Sequence, residues 1–397
     1  MTTFWIHIAE ENLLAMLDVV WWLIAMRLAK KTLWRVLASI FMAAQLFAVL
    51  MVVAGVDLSL YLPTPALIGV VVWHFFGLTL LTGIAVLYVC IRRIRRRRAS
   101  APVQTPSGAS PVENSISRRN FIGACAALAP PLLTFSITGI ALRELDRFRL
   151  RRFTLSLPSL PKPLDGLTIA HVSDIHVGQW THGPVLKKIV NTTNSLNADV
   201  VVVTGDLIDY ELSDLSTAID LVKQMHGRYG LYMIEGNHDL IENGGEFEER
   251  VKRSGLSLLL DESAICDVRG YPVQFLGLRW MDCVGSLNDD ITPWQVRELA
   301  KQRRPDAFPI FLAHHPDAFD AAIENGLPLT LSGHTHGGQL MLDKNVGVGP
   351  ALFRYWSGFY KRGESQLIVS NGVGNTFPVR INAPAEIVHV TLRCVAA

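Results

Sequence analysis

Between Leu329 and Leu340 an apolar run, Leu329-Thr330-Leu331, breaks at Ser332-Gly333 and continues as His334-Thr335-His336-Gly337-Gly338-Gln339. A short β-rich run that stops at glycine reads as a buried strand opening into a loop, and two histidines one residue apart can turn both imidazoles toward one point. The same design recurs at four other places. Thr168 to Ser173 runs into Asp174-Ile175-His176, Val200 to Thr204 into Gly205-Asp206, Leu231 to Glu235 into Gly236-Asn237-His238-Asp239, and Pro309 to Ala313 into His314-His315-Pro316. In open α/β sheets ligands collect in the crevice beyond the carboxyl ends of the strands, so five strand ends carrying His, Asp and Asn are expected to converge on one site. Taken singly, each is as readily a capping Asp, a turn Asn or a core His; coincidence does not produce all five in this order. A mixed His, Asp and Asn set suits borderline ions such as Mn, Zn, Fe or Co better than Mg or Ca.

These residues make the stretch from Leu167 to Val390 resemble the calcineurin-like metallophosphoesterases, whose D-x-H, GD, GNH-D/E, H and GHxH pattern is matched at every position. The resemblance implies an α/β fold, an αββα sandwich of two packed β-sheets with helices outside. It also implies two divalent ions about 3.5–4 Å apart, sharing a carboxylate and a hydroxide that attacks phosphorus. By resemblance, one ion is held by Asp174, His176 and His336, the other by Asn237, His314 and His334, and Asp206 bridges them. His238 is then the acid facing the leaving-group oxygen, with Asp239 orienting it. His314 is preferred to His315 because it directly follows its strand; His315 is left as a supporting or an exposed residue. His171, inside the first strand, reads as a buried, hydrogen-bonded residue.

The expected reaction is hydrolysis of a phosphomonoester, phosphodiester or pyrophosphate, on a substrate that is lipid-linked or soluble. A purple acid phosphatase would need a ligand Tyr at the position of Asp209, so that branch is disfavoured. Gly337-Gly338-Gln339, Gly372-Val373-Gly374 and Pro378-Val379-Arg380 resemble the membrane-anchored bacterial branch, some of whose members cleave UDP-2,3-diacylglucosamine in lipid A metabolism. That substrate stands as an alternative by analogy only. A catalytically idle, metal-binding membrane receptor or scaffold is the alternative of another class, disfavoured by the presence of His238 and Asp239. The connection Asp343 to Ser365, with Arg354, Tyr355, Trp356, Phe359, Tyr360, Lys361 and Arg362, is expected to lean over the site, to touch lipid headgroups, or simply to pack. Arg380 is a secondary candidate for a phosphate contact.

The first third of the chain is different in kind. A bilayer-crossing helix needs about 20 apolar residues, and Val36 to Val56 and Ala66 to Ile91 supply them; Leu13 to Leu28 is shorter and carries Asp18. Residues 1–98 are therefore expected to form a transmembrane helical region of about three spans. Lys30, Lys31 and Arg35, and later Arg92, Arg93 and Arg95 to Arg98, place both intervening loops in the cytoplasm. Residues 99–116 have the Ser, Pro and Ala content of a flexible linker. Residues 117–142 then resemble a twin-arginine export signal at Ser117-Arg118-Arg119-Asn120-Phe121, or a fourth span, with the export machinery as a partner in the first case.

Either way, the catalytic domain at 150–397 is expected outside a multi-pass cytoplasmic (inner) membrane protein, on the periplasmic or extracellular face. Charge follows the same division: 15 Lys and Arg against 7 Asp and Glu up to Arg149, but 22 against 28 from Leu150 onward. An acidic catalytic half argues against a nucleic-acid partner. Five scattered cysteines indicate neither a zinc ribbon nor a disulfide framework, leaving a Cys266–Cys283 pair open.

Overall fold

The computed structural model describes residues 2–28, 32–54, 56, 58, 61–79, 81–83, 90–91, 93–94, 118–280 and 293–395. The linker at 99–116, the cluster Arg95 to Arg98, Lys30, Lys31, Arg92, Ser117 and Cys283 lie outside the described residues. The chain divides into two compact units, Met1–Leu142 and Arg143–Ala397. The second unit begins a few residues before the expected position 150, because a strand that opens at Phe148 is built into its first sheet.

The first unit is helical: Thr2–Leu28, Thr32–Val53, Thr64–Val72 followed by a π-helical turn Trp73–Leu78, and Arg118–Glu144, which starts there and ends just past the division. Among the described residues, Thr32–Val53 and Thr64–Gly83 are long and apolar enough to cross a membrane. Asp18 is buried and answered on both oxygens. Trp73 Nε1 donates to Oδ1 at 2.7 Å and His74 Nε2 lies 3.1 Å from Oδ2, while His74 Nδ1 is 2.8 Å from the Val70 carbonyl. A carboxylate inside an apolar bundle survives only when so paired.

Among its described residues the second unit has thirteen strands: β1 Phe148–Leu157, β2 Thr168–Val172, β3 Val200–Thr204, β4 Leu231–Ile234, β5 Glu262–Val268, β6 Tyr271–Gly277, β7 Phe308–Leu312, β8 Leu329–Ser332, β9 Met341–Asp343, β10 Val346–Gly347, β11 Gly358–Arg362, β12 Ser365–Val369 and β13 Ala385–Cys394. Two mixed sheets result, ordered β1-β13-β2-β3-β4 and β11-β12-β8-β7-β6-β5, with β9 and β10 a separate hairpin. Strands β2, β3 and β4 are mutually parallel, as are β6, β7, β8 and β12. Their carboxyl ends therefore open on common edges of the sheets.

The burial pattern explains the layering. Val200-Val201-Val202-Val203 is apolar without alternation because both faces of β3 are covered. Val200 and Val202 join Ile169, Phe275, Ile310, Leu331 and Ile368 in a core between the two sheets. Val201 and Val203 face outward onto the helices Pro184–Ser195, Leu215–Lys223 and Gly244–Arg253. On the far side, Phe311 and Ala313 pack against Val296, Leu299, Ala318 and Ala322 of the helices Pro293–Ala300 and Ala318–Glu324. The order helix, sheet, sheet, helix is the expected αββα sandwich.

Local chemistry sets the helix ends. In Gly244–Arg253 the Asn243 side chain accepts from Glu246 N at 3.1 Å, Glu246 sits in the first turn, and Arg250, Lys252 and Arg253 occupy the last. Phe247 and Val251, one turn apart, carry its buried face. Truncating a residue of the central core such as Ile310 to Ala would cost roughly 2–5 kcal/mol.

Candidate metal centre

Three of the five ligand loops leave their strands through a backbone that ordinary residues avoid. Asp174, His176, Asp206, His334 and His336 all have φ between 47° and 70°, and they are five of the ten non-glycine residues with positive φ among the described residues. Such conformations cost about 1–3 kcal/mol each and persist where the surroundings over-determine them, most often at functional sites. Glycine permits the approach of the loops. A Cβ at Gly236 would run into the Asp206 carboxylate, and one at Gly333 into Ser173 and the Asp174 carboxylate.

The side chains of these loops come together. His176 Nε2 lies 3.1 Å from His336 Nε2 and 3.4 Å from Asp206 Oδ2, and His336 Nε2 is 3.7 Å from Asp174 Oδ1. On the other side His314 Nε2 is 3.1 Å from Asp206 Oδ2, and His334 Nδ1 is 2.9 Å from Asn237 Oδ1. Asp206 thus stands between two groups, Asp174–His176–His336 and Asp206–His314–His334, each with ligand atoms close enough to share one ion. A third such group, His176–Asp206–His238, overlaps them.

The donor chemistry fits divalent cations. Asp174 Oδ2 is buried without a hydrogen-bond partner, an arrangement too costly to keep for packing alone. The facing His176 and His336 nitrogens need a proton or a cation between them. His314 Nδ1 faces the Thr204 carbonyl at 2.7 Å, which fixes Nδ1 as the protonated nitrogen and frees Nε2 as a ligand. Burial alone would lower the His314 pKa, but the Asp206 charge and hydrogen bond push it up to about 10. Burial would raise Asp206, yet His314, His238 and His176 hold it well below the usual carboxylate range. The negative field that would keep a proton at this spot also suits a metal ion.

His238 shares the third of these groups with His176 and Asp206 and is more exposed than His176. Its backbone N–H donates to Asp206 Oδ1 at 2.9 Å, its Nδ1 lies 2.6 Å from the Asp209 carbonyl, and its side chain remains 22% exposed. Burial lowers its pKa, but Asp206 and Asp209 outweigh that and push it up to about 9. The expected partner Asp239 is not the residue beside it. Asp239 accepts backbone N–H groups from Leu207, Ile208 and Gly236 at 2.7, 3.0 and 2.9 Å, so both its oxygens are committed to tying two ligand loops together. The carboxylate beside the His238 ring is that of Asp209, with Oδ1 3.5 Å from His238 Nδ1 and 3.3 Å from His176 Nδ1. Its place three residues after Asp206, at the end of the same strand loop, was the available signal.

Three further residues settle into place. His315 is buried, receives Asp317 N at 3.2 Å and packs its ring 4.7 Å from that of His334. His171 is fully buried, 2.8 Å from Thr204 Oγ1, and burial holds its pKa down to about 3. Arg380 is not placed to meet a phosphate. It is 7% exposed and its guanidinium donates to the carbonyls of Asn371 and Gly374, to Asn375 Oδ1 and to His336 Nδ1. These bonds lock the loop 371–383 behind His336.

Comparison with known proteins adds an independent line. A family model described as calcineurin-like phosphoesterase matches residues 167–338. A protein of Danio rerio named as a transmembrane protein with metallophosphoesterase domain is 30% identical over 260 residues, 60% of this chain and 56% of that one. An uncharacterized metallophosphoesterase of Bacillus subtilis is 30% identical over 290 residues, 70% of this chain and 98% of the other. One of Campylobacter jejuni is 27% identical over 248 residues, 60% of this chain and 62% of its own length. The chain thus spans little more than half of the fish protein and nearly all of the Bacillus one.

Proposed function

The chain belongs to the calcineurin-like phosphoesterases, metal-dependent hydrolases of phosphoester bonds, and on that premise we propose that it works with two divalent ions as a membrane-anchored phosphoesterase. In this reading Asp174, His176 and His336 hold one ion, Asn237, His314 and His334 the other, and Asp206 serves both. The observation that carries it is the position of Asp206, with His176 Nε2 3.4 Å and His314 Nε2 3.1 Å from the same oxygen. When bound, such ions activate water near neutral pH and neutralise charge building on the phosphoryl oxygens.

The residues of the chain supply the rest. His238 gives a proton to the departing oxygen through Nε2, because Nδ1 is engaged by the Asp209 carbonyl. Asp209 and the Asp206 contact to the His238 backbone N–H keep that imidazole upright and charged. Asp239 keeps the loops after β3 and β4 in register. Burial of the ligand set excludes water from everything but the open side.

The finer reading places the enzyme in the inner membrane with its catalytic unit on the outer face, supported by two apolar helices and by the basic loops beside them. Protease access to the second unit in intact spheroplasts tests this; protection there and cleavage only after lysis would reverse the orientation. Activity is tested with full-length protein in detergent, Mn supplied, on aryl phosphate mono- and diesters beside His238→Ala. Turnover that collapses in the variant supports the enzyme; equal, residual turnover in both supports a metal-binding scaffold instead.

A further inference from the structure

Aromatic rings stand against the histidines of the centre. The Trp280 ring lies 5.4 Å from both His314 and His334, and Phe353 lies 6.0 Å from His334 and 6.3 Å from His315. Ile241, whose N–H bonds the His238 carbonyl, is 58% exposed. Polar substrates alone do not call for such a rim.

Beside it runs an edge that spends apolar side chains on solvent. The β9–β10 hairpin starts three residues beyond the His336–Gly338 turn and leads through the short helix Val348–Leu352 into Phe353. Along it Leu342 is 83% exposed, Leu352 65% and Val346 53%. The edge is held rigidly, since Gly338 backs directly onto Gly349, Met341 N donates to the Ile381 carbonyl, and Trp356 packs on Gly349. Exposed aliphatics on a fixed hairpin are costly in water and mark a surface that meets another apolar phase.

Charge identifies that phase. The unit carries more acidic than basic residues, yet between Asp343 and Ser365 the sequence holds Lys344, Arg354, Lys361 and Arg362 against Asp343 and Glu364. Arg354 and Arg362 lean on Asp320, which orders them, while Lys344 and Lys361 stay exposed. Aliphatic tips on a stretch that keeps a small basic excess even with Asp320 counted match the boundary between acyl chains and anionic headgroups. A second copy would bring the same basic edge against itself, a like-charge juxtaposition. The chain also carries its own apolar helices long enough to cross a bilayer, which keeps this unit near one.

We propose that the edge formed by Leu342, Val346 and Leu352 rests on a phospholipid surface, and that the phosphoester cleaved belongs to a lipid headgroup delivered past Trp280 and Phe353. This rests on the phosphoesterase reading and names its substrate class. In the step itself a water oxygen forms the new bond to phosphorus, the ester P–O bond breaks, and the leaving oxygen takes its proton from His238.

The test uses full-length protein in vesicles of dioleoylphosphatidylcholine with dioleoylphosphatidylglycerol and dioleoylphosphatidic acid. Bimane is attached at Leu342→Cys, Leu352→Cys or Glu324→Cys, with the native cysteines replaced by Ser. Glu324, exposed where the helix after β7 returns to the far end of the sheet, is the control. Nitroxide-labelled lipids should quench 342 and 352 severalfold more than 324; equal quenching overturns membrane contact. In the same vesicles Leu342→Ser/Leu352→Ser should lower turnover of the lipid phosphoesters about tenfold and leave a soluble aryl phosphoester within about twofold. Equal loss on both substrates, or hydrolysis of the soluble ester with none of either lipid, overturns the substrate class. Absence of turnover on every ester with Mn present would instead break the phosphoesterase reading, while the quenching still decides the contact.

Discussion

Both units of this chain bury carboxylates, and they do so to opposite ends. In the helical unit Asp18 is closed: Trp73 and His74 answer both oxygens, and His74 is answered in turn by the Val70 carbonyl. In the catalytic unit Asp174 and Asp206 are brought among imidazoles, and Asp174 Oδ2 is left without a hydrogen-bond partner. The same desolvation cost is met internally in one case and left for a cation to meet in the other. Burial of charge thus distinguishes a structural lock from a binding site only when the accounts of its individual atoms are compared.

The sharpest way to break the contrast is Asp206→Asn, which should lower phosphoesterase turnover by about 10⁴-fold or more, since it removes the carboxylate proposed to serve both ions. A loss under tenfold in steady-state kinetics would deny Asp206 that place. His238→Ala should cost about a hundredfold while bound metal, read by elemental analysis, is unchanged. Loss of metal along with activity would make His238 a ligand instead. Asp209→Asn should cost about tenfold, an effect of positioning that Asp239 was expected to exert on the imidazole. An unaltered rate would return that role to Asp239.

Two smaller effects probe the closed pairs. Asp18→Ala strands the Trp73 and His74 donors and should lower the stability of the detergent-solubilised chain by about 1–3 kcal/mol, with turnover unchanged. A specific loss of turnover at equal stability would show that Asp18 is not merely structural. His171 is buried with its pKa held down to about 3, against an ordinary value near 6.5. The unfolded chain therefore binds a proton that the folded chain refuses, and stability is lost as pH falls below about 6.5 toward 3. His171→Gln should flatten that acid limb by up to about 1 kcal/mol per pH unit near pH 5, measured by denaturant unfolding; a parallel limb would mean other groups govern it.

What the sequence disclosed and what it hid follow from range. The candidate ligands were legible because each sits where its own strand ends, so a local pattern of apolar run and polar tip announces it. Asp239 and Asp209 could not be told apart by that pattern, since which carboxylate meets His238 depends on how the loop after β3 folds against the loop after β4. The framing pair β1 and β13 was equally hidden. These ten-residue strands join in parallel from opposite ends of the unit, clamped by Arg149 and Arg151 on the buried Glu386, contacts 237 and 235 residues apart. Arg380, near a glycine-rich motif, looked available to phosphate until the loop 371–383 closed around its guanidinium.

The most direct measurement of the central claim is electron paramagnetic resonance of the full-length chain titrated with Mn. The account predicts two ions per chain giving a spin-coupled signal that Asp206→Asn abolishes. A single ion per chain, or two uncoupled ions whose signal is indifferent to Asp206, would contradict it.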